Sequence, residues 1–315
     1  MDKIKTWSVL GPTASGKTGL AIELARRLDG EVVSCDSMQI YRGMDIGTAT
    51  PSMEERDGIV HHLFDIVDPE DEFSAADYAK AASEVIDDIA SRGKTPILCG
   101  GTGMYYDSLM KITSFSESVQ DEALREELYS FALEHGNNAL HRRLREIDPD
   151  SADAIHPNNI KRVIRAIEMY MTTGRTKTEI DREQVAGETR YDDKTIILDY
   201  ADRAILYDRI ERRIDIMIED GLIPEIERIF MSGRQVSRTA SQAIGYKELI
   251  PYLRGECSLE AAVAELKLAT RHYAKRQIMW FRRYDNVIRF APDRGEHVLS
   301  AREIADEILI SENKI

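Results

Sequence analysis

The sequence predicts an α/β fold: a parallel sheet flanked by helices and interrupted by an all-helical insertion. Three observations predict it. The first hundred residues alternate strand-like and helix-like patterns, which implies a parallel sheet covered on both faces. The stretch "GPTASGKT", residues 11–18, joins an apolar run to a helical pattern and fits the phosphate-loop spacing G-x-x-x-x-G-K-[ST] at every fixed position. From about Ser114 to Thr195 the periodicity is helical, and then "TIILDY" restores a strand. The expected type is therefore P-loop NTPase-like, with residues 1–113 and 196–315 as the core and 114–195 as an all-helical insertion domain.

Taken in order, "TWSVL" reads as the first strand. Residues 18–28 follow as a helix with apolar Leu20, Leu24, Ala25 and Leu28, stopped by Gly30. "EVVSC" is the second strand. Ser74 and Asp77 have capping-box spacing before the helix "AADYAKAASEVIDDIAS", which stops at Gly93. "PILCG" is a third short apolar run, ending in Gly100 and Gly101. The insertion has turns at "HGNN" and "IDPD"; after it, helices break at Gly221, Gly233 and Gly255, and "NVIRF" is the last strand.

Composition bounds the class. Of 315 residues, 43% are hydrophobic and 31% charged, the balance of a soluble globular enzyme, and no apolar run is long enough to span a bilayer. "MDKIKTW" lacks a signal-peptide core, and Cys35, Cys99 and Cys257 are odd in number with no C-x-x-C pair. Both features point to free thiols in the cytoplasm and away from a zinc site. The net charge of −14 argues against nucleic acid, yet two stretches are basic. Residues 266–290 carry seven Lys or Arg against Asp285, and residues 158–177 carry five against Glu168. These are either solvated helix faces or a track for a polyanion. No heptad or apolar stripe calls for a second copy, so a monomer is expected.

The loop chemistry follows from residue type. Gly11, Pro12, Thr13, Ala14, Ser15 and Gly16 would turn backbone N–H groups onto phosphate oxygens, Lys17 would add a charge, and Thr18 a hydroxyl ligand for Mg²⁺. The usual acid at the end of an apolar strand is missing from "PILCGG"; Asp199, ending "TIILDY", is either that acid or a plain strand end. Asp36 stands where the second strand meets its loop, where ligands of open α/β sheets sit, either as a general base or as a turn aspartate. Cys35 beside it reads as a strand residue. "HHLFDIVD" has no common metal spacing and is assigned to structure. Thr102 and its glycines occupy the mouth of the third strand, suited to close backbone approach to a ligand. In the late helix Arg271, Lys275, Ile278 and Arg282 share one stripe, beside Arg276, Trp280 and Arg283; Tyr273 and Trp280 either stack bases or face the core.

Together the segments "GPTASGKT", "SCDSMQIYRGMDIGTATP", "HHLFDIVDPEDEFSAADY", "GGTGMYYDSL", "HPNNIKRVIRAIEMYMTTG", "ERRIDIMIEDGLIPEI", "TASQAIGYKEL" and "TRHYAKRQIMWFRR" resemble the tRNA dimethylallyltransferases. They fall in the family's order and span the chain to about Arg283. The resemblance implies that the polyphosphate is dimethylallyl diphosphate. It also implies an acceptor, the exocyclic amine of the adenosine 3′ of a tRNA anticodon, and Mg²⁺ as cofactor. It casts Asp36 as general base, places Asp36, Ser37, Met38 and Gln39 around a flipped base, and puts Thr102 at the reaction site near the nucleoside. Arg213 would reach toward the diphosphate beside Lys17. Lys161, Arg162, Val163, Ile164 and Arg165 match a tRNA-contacting stretch, and Arg125 a further contact. Gln242, Arg271, Lys275 and Arg276 lie in further family signatures expected to face the tRNA anticodon stem-loop. Met279 and Ile40 depart from the family's usual threonine and valine, away from the chemistry, and the absence of late Cys/His pairs resembles the bacterial type. Two rivals use the same loop: a small-molecule kinase, and a nucleotide-switched RNA-binding module without covalent chemistry. Donor specificity separates all three.

Overall fold

Strand β1 (Ile4–Leu10) is buried from Thr6 onward, as a central parallel strand covered on both faces must be. The computed structural model describes residues 3–110, 121–186, 189–295 and 297–312; Ser114, the expected start of the insertion, lies outside them. Helix α1 (Lys17–Arg27) follows β1 and buries Leu20, Leu24 and Ala25 against the sheet. Strands β2 (Gly30–Ser34) and β3 (His61–His62) come next. Helix α2 (Ala75–Ser91) starts at the expected capping box, with Ser74 and Asp77 each bonding the other's backbone. Strand β4 (Thr95–Gly100) and helix α3 (Gly103–Met110) complete the first half.

The chain forms two compact units, residues 1–109 with 190–315, and residues 110–189. The second unit contains α4 (Glu122–His135), α5 (Asn137–Ile147), α6 (Pro149–Ala154), α7 (Ile160–Thr173) and α8 (Lys177–Ala186). Its core gathers Leu128, Leu140, Leu144, Val163, Ile164 and Ile167. Beside that core the fully buried Glu168 accepts from Arg125 Nη2 (3.0 Å), Arg165 Nη1 (2.6 Å) and the Asp121 N–H (3.0 Å). Burial alone would raise this carboxyl; the bonds from Arg125 and Arg165 outweigh it and hold the group below its usual range.

The first unit resumes with β5 (Tyr191–Leu198), then α9 (Arg203–Glu219), α10 (Leu222–Phe230), α11 (Ile250–Leu253) and α12 (Leu259–Phe281). Strand β6 (Ile288–Phe290), the hairpin of β7 (Asp293–Arg294) and β8 (His297–Val298), and α13 (Ala301–Ser311) end it. The six strands of the main sheet run parallel in the order β3-β2-β4-β1-β5-β6. That order puts the ends of β2, β4 and β1 side by side, where ligands of open α/β sheets bind.

One expectation is corrected. Strand β5 begins at Tyr191, paired with Ile4, four residues before the expected Thr195. Its polar start concealed it: Asp193 accepts from the Thr6 (2.6 Å) and Ser8 (2.8 Å) hydroxyls of β1 and from Tyr106 Oη (3.0 Å), so a carboxylate sits in the sheet fully partnered. The "HH" dipeptide has the structural role expected of its segment: it is a short strand, and His62 Nε2 lies 2.7 Å from the buried Glu31.

Candidate active site

The phosphate loop is shaped by left-handed backbone at Ala14 (φ 62°) and Gly16 (φ 91°), and Ser15 N–H turns back to Pro12 O. Gly16 caps α1 with no side-chain acceptor, so the first N–H groups of the helix are left for an anion at its positive end. Gly11 is wedged where a Cβ would meet Ser15 Oγ and Leu198 O at 2.9 and 3.0 Å.

At these strand ends lies a cavity of about 190 Å³. One side is the loop and its helix: Thr13, Ala14, Lys17 and Thr18. Another is the segment after β2: Asp36, Ser37, Met38 and Gln39. Helix α9 contributes Arg213 between apolar Ile210, Ile214 and Met217. Gln242 and residues 243–245 close it, with Leu266, Thr270, Tyr273 and Gln277 from α12. Burial lowers the Lys17 ammonium and the Arg213 guanidinium from their ordinary values, and Asp36 offsets part of that at both. Burial, and then the Asp36 charge, push the Tyr273 phenol up, so it stays protonated. Burial likewise raises the Cys35 thiol, which makes it no nucleophile.

Asp36 makes the turn that its position allowed, and it also lines the cavity. Its Oδ1 accepts from Met38 N–H at 3.0 Å, the local turn of an Asx residue, and among the described residues its Oδ2 has no hydrogen bond. Gln39 is committed to the fold: Nε2 donates to Thr48 O and Ala49 O, and Oε1 accepts from Ser34 Oγ. Thr102 does not line the cavity. Its hydroxyl accepts from Ser37 N–H at 3.0 Å and reaches Ser37 Oγ at 3.2 Å, so it positions the segment carrying Asp36. Asp199, whose N–H donates to Phe290 O, does not line the cavity either.

The glycines after β4 were expected to admit a ligand, and protein atoms fill the space. A Cβ on Gly100 would lie 2.0 Å from Cys35 O, on Gly101 2.2 Å from Gln277 Nε2, and on Gly103 2.1 Å from Trp280. Trp280 therefore packs on α3 with the Arg283 guanidinium 4.2 Å over its ring, and is not a base-stacking platform. On α12, Arg271 pairs with Glu211 of α9, whereas Lys275 and Arg276 are exposed. In the second unit Lys161 and Arg162 are exposed near the start of α7, and Arg125 and Arg165 hold Glu168. Val163 and Ile164, 0% and 2% exposed, pack their side chains in the core of that unit and not on its surface.

Three residues that sequence reasoning passed over organise this site. Gln277 bonds Thr13 N–H and Gly101 O. Arg209, one turn before Arg213, donates from Nε to Ala14 O at 2.9 Å; the four-residue spacing of the two arginines was the available signal. Glu225 of α10 accepts the N–H groups of Asp45, Ile46 and Gly47 at 2.9–3.0 Å and Tyr246 Oη at 2.7 Å, which anchors the loop leading to Thr48 and Ala49 in the cavity wall.

Comparison with known proteins adds to this geometry. The family model described as IPP transferase matches residues 39–284. The chain is 50% identical over 279 residues to the tRNA dimethylallyltransferase of Acetivibrio thermocellus, covering 89% of each. It is 43% identical to a tRNA isopentenylpyrophosphate transferase of known structure from Staphylococcus epidermidis (TM-score 0.71, 99% of this chain and 100% of that one). A eukaryotic dimethylallyltransferase acting on tRNA is 30% identical with TM-score 0.81, over 99% of this chain and 80% of that one.

Proposed function

The chain belongs to the IPP transferase family, whose chemistry is prenyl transfer, and from that premise we propose the substrates and the residues that act on them. The donor is dimethylallyl diphosphate; the acceptor is the exocyclic amine of the adenosine 3′-adjacent to a tRNA anticodon. The observation that carries this reading is one cavity holding two desolvated cations, Lys17 and Arg213, a carboxylate, Asp36, and an apolar wall of Ile210, Ile214 and Met217. A prenyl diphosphate has the matching halves: a polyanion and a short hydrocarbon.

In the reaction the amine nitrogen forms a bond to the allylic carbon, and the bond from that carbon to the diphosphate oxygen breaks with its electron pair. Lys17, Arg213 and the N-terminus of α1 stabilise the charge growing on that oxygen. The amine loses a proton to Asp36, which stands in the same cavity. Tyr273, kept protonated beside Asp36, can donate but cannot compete as a base.

Magnesium fits this donor set. Among the described residues no group of three or more His, Cys, Asp or Glu could hold a metal alone. Mg²⁺, however, binds largely through substrate phosphates and water, with few protein oxygens, and Thr18 offers one in the cavity. Bound there it would neutralise diphosphate charge.

Each unit offers exposed cations to the tRNA, Lys275 and Arg276 in the first and Lys161 and Arg162 in the second, which reconciles a net charge of −14 with a nucleic-acid substrate. Among the described residues no helix is long and apolar enough to cross a membrane. The test is transfer of label from dimethylallyl diphosphate, without ATP, to tRNA bearing adenosine next to its anticodon and not to the same tRNA bearing guanosine. Label on neither tRNA, from folded protein, would refute the reading.

A further inference from the structure

The donor cavity has a neighbour. Beyond Ala49, Arg213 and Met217, which line both, lies a more open cavity of about 600 Å³. It contains apolar surface that the reaction as described does not use, including Ile46, Pro51, Met53 (77% exposed) and Ile216 (54% exposed).

The three shared residues are unequal. Ala49 ends at its Cβ. The Arg213 guanidinium feels the charges of Asp36 and Glu55. Met217 is a half-buried, unbranched thioether that packs on the core cluster of α9, α10 and α12. It continues the face on which Ile210 and Ile214 line the inner cavity, at helical spacings of four and three. A short prenyl group lying along Ile210 and Ile214 meets Met217 next, and past Met217 is the outer cavity.

Resting on the prenyl-diphosphate reading, we propose that Met217 sets the chain length of the donor. Its side chain closes the passage between the two cavities, so that a five-carbon group fits and the second isoprene unit of a ten-carbon donor is shut out. A longer donor must overpack the wall or displace the thioether arm. Because methionine has three rotatable bonds, the exclusion is graded. Truncating the arm joins the cavities and gives the second unit an apolar bed of Met53 and Ile216.

The experiment compares kcat/KM for dimethylallyl and geranyl diphosphates in the whole protein, for wild type, Met217→Ala and Ile216→Ala. Ile216 lines only the outer cavity. Met217→Ala should raise the geranyl-to-dimethylallyl ratio about tenfold or more, the scale on which apolar pockets discriminate, and Ile216→Ala should leave the ratio near wild type. The inference is overturned if Met217→Ala keeps the wild-type ratio while still using dimethylallyl diphosphate. It is equally overturned if wild type already uses both donors alike, or if Ile216→Ala opens the site as far. Wild type inactive with dimethylallyl diphosphate would instead refute the donor reading, and this inference with it. Should Met217→Ala be unfolded by its circular-dichroism melt, Met217→Val carries the same expectation at about threefold.

Discussion

Gln277 ties the phosphate loop to the end of β4: its Oε1 accepts from Thr13 N–H at 2.8 Å, and its Nε2 donates to Gly101 O at 3.0 Å. A helix far along the chain thus holds the loop in shape. The N–H groups left for phosphate are those at the start of α1. Gln277→Ala would leave the half-buried Thr13 N–H and the buried Gly101 carbonyl without this partner, so the KM for dimethylallyl diphosphate should rise about tenfold, the cost of one or two lost hydrogen bonds. Steady-state kinetics measure it; an unchanged KM would show that the loop holds its shape without Gln277.

Lys17 is a cation whose desolvation in the cavity makes it a strong partner for a polyanion. Lys17→Ala should weaken donor binding by about tenfold to a hundredfold, in keeping with a lost charge-assisted bond. Saturation with the prenyl donor at wild-type concentrations would refute that role.

Glu225 makes four hydrogen bonds, three of them to consecutive backbone N–H groups of residues 45–47. Gly47 is pressed so closely on Tyr246 that a Cβ would lie 2.5 Å from its ring. Glu225→Ala leaves the buried Tyr246 hydroxyl and three half-buried N–H groups without this acceptor and should cost about 3 kcal/mol of stability. A urea unfolding midpoint equal to wild type would contradict the anchoring.

The Arg92 guanidinium, followed by His62, holds the buried Glu31 carboxyl at about 2, against an ordinary 4.5, even though burial opposes the shift. A depressed carboxylate stabilises the fold in full above its unfolded value and loses that contribution as pH falls through its folded value. The stability gap between wild type and Arg92→Leu should therefore be full above about pH 4.5 and shrink toward pH 2. Urea midpoints at pH 6 and pH 3 measure it, and a gap independent of pH would contradict the pairing.

What the sequence made legible was local. The phosphate loop, the Ser74–Asp77 capping box and Asp36 at the end of β2 each depend on neighbours a few residues away. What it concealed depends on distant contacts. Nothing near Gln277 or Glu225 marks them, and Arg209 has only its spacing to Arg213, because their partners lie 264, about 180 and 195 residues away. The glycines after β4 were legible as close-approach positions, but only the fold tells that Cys35, Gln277 and Trp280 do the approaching. Strand β5 was hidden by the polarity of residues 192–194, since hydroxyl partners for Asp193 come from β1 and α3.

The central claim is that Asp36 takes the proton from the attacking amine. The most direct measurement is the single-turnover transfer rate of Asp36→Asn, with tRNA affinity measured alongside. The account predicts that the rate falls about a hundredfold or more, as loss of a general base does, while the Kd for tRNA changes less than about threefold. Transfer at the wild-type rate, or a loss explained by weakened tRNA binding alone, would contradict it.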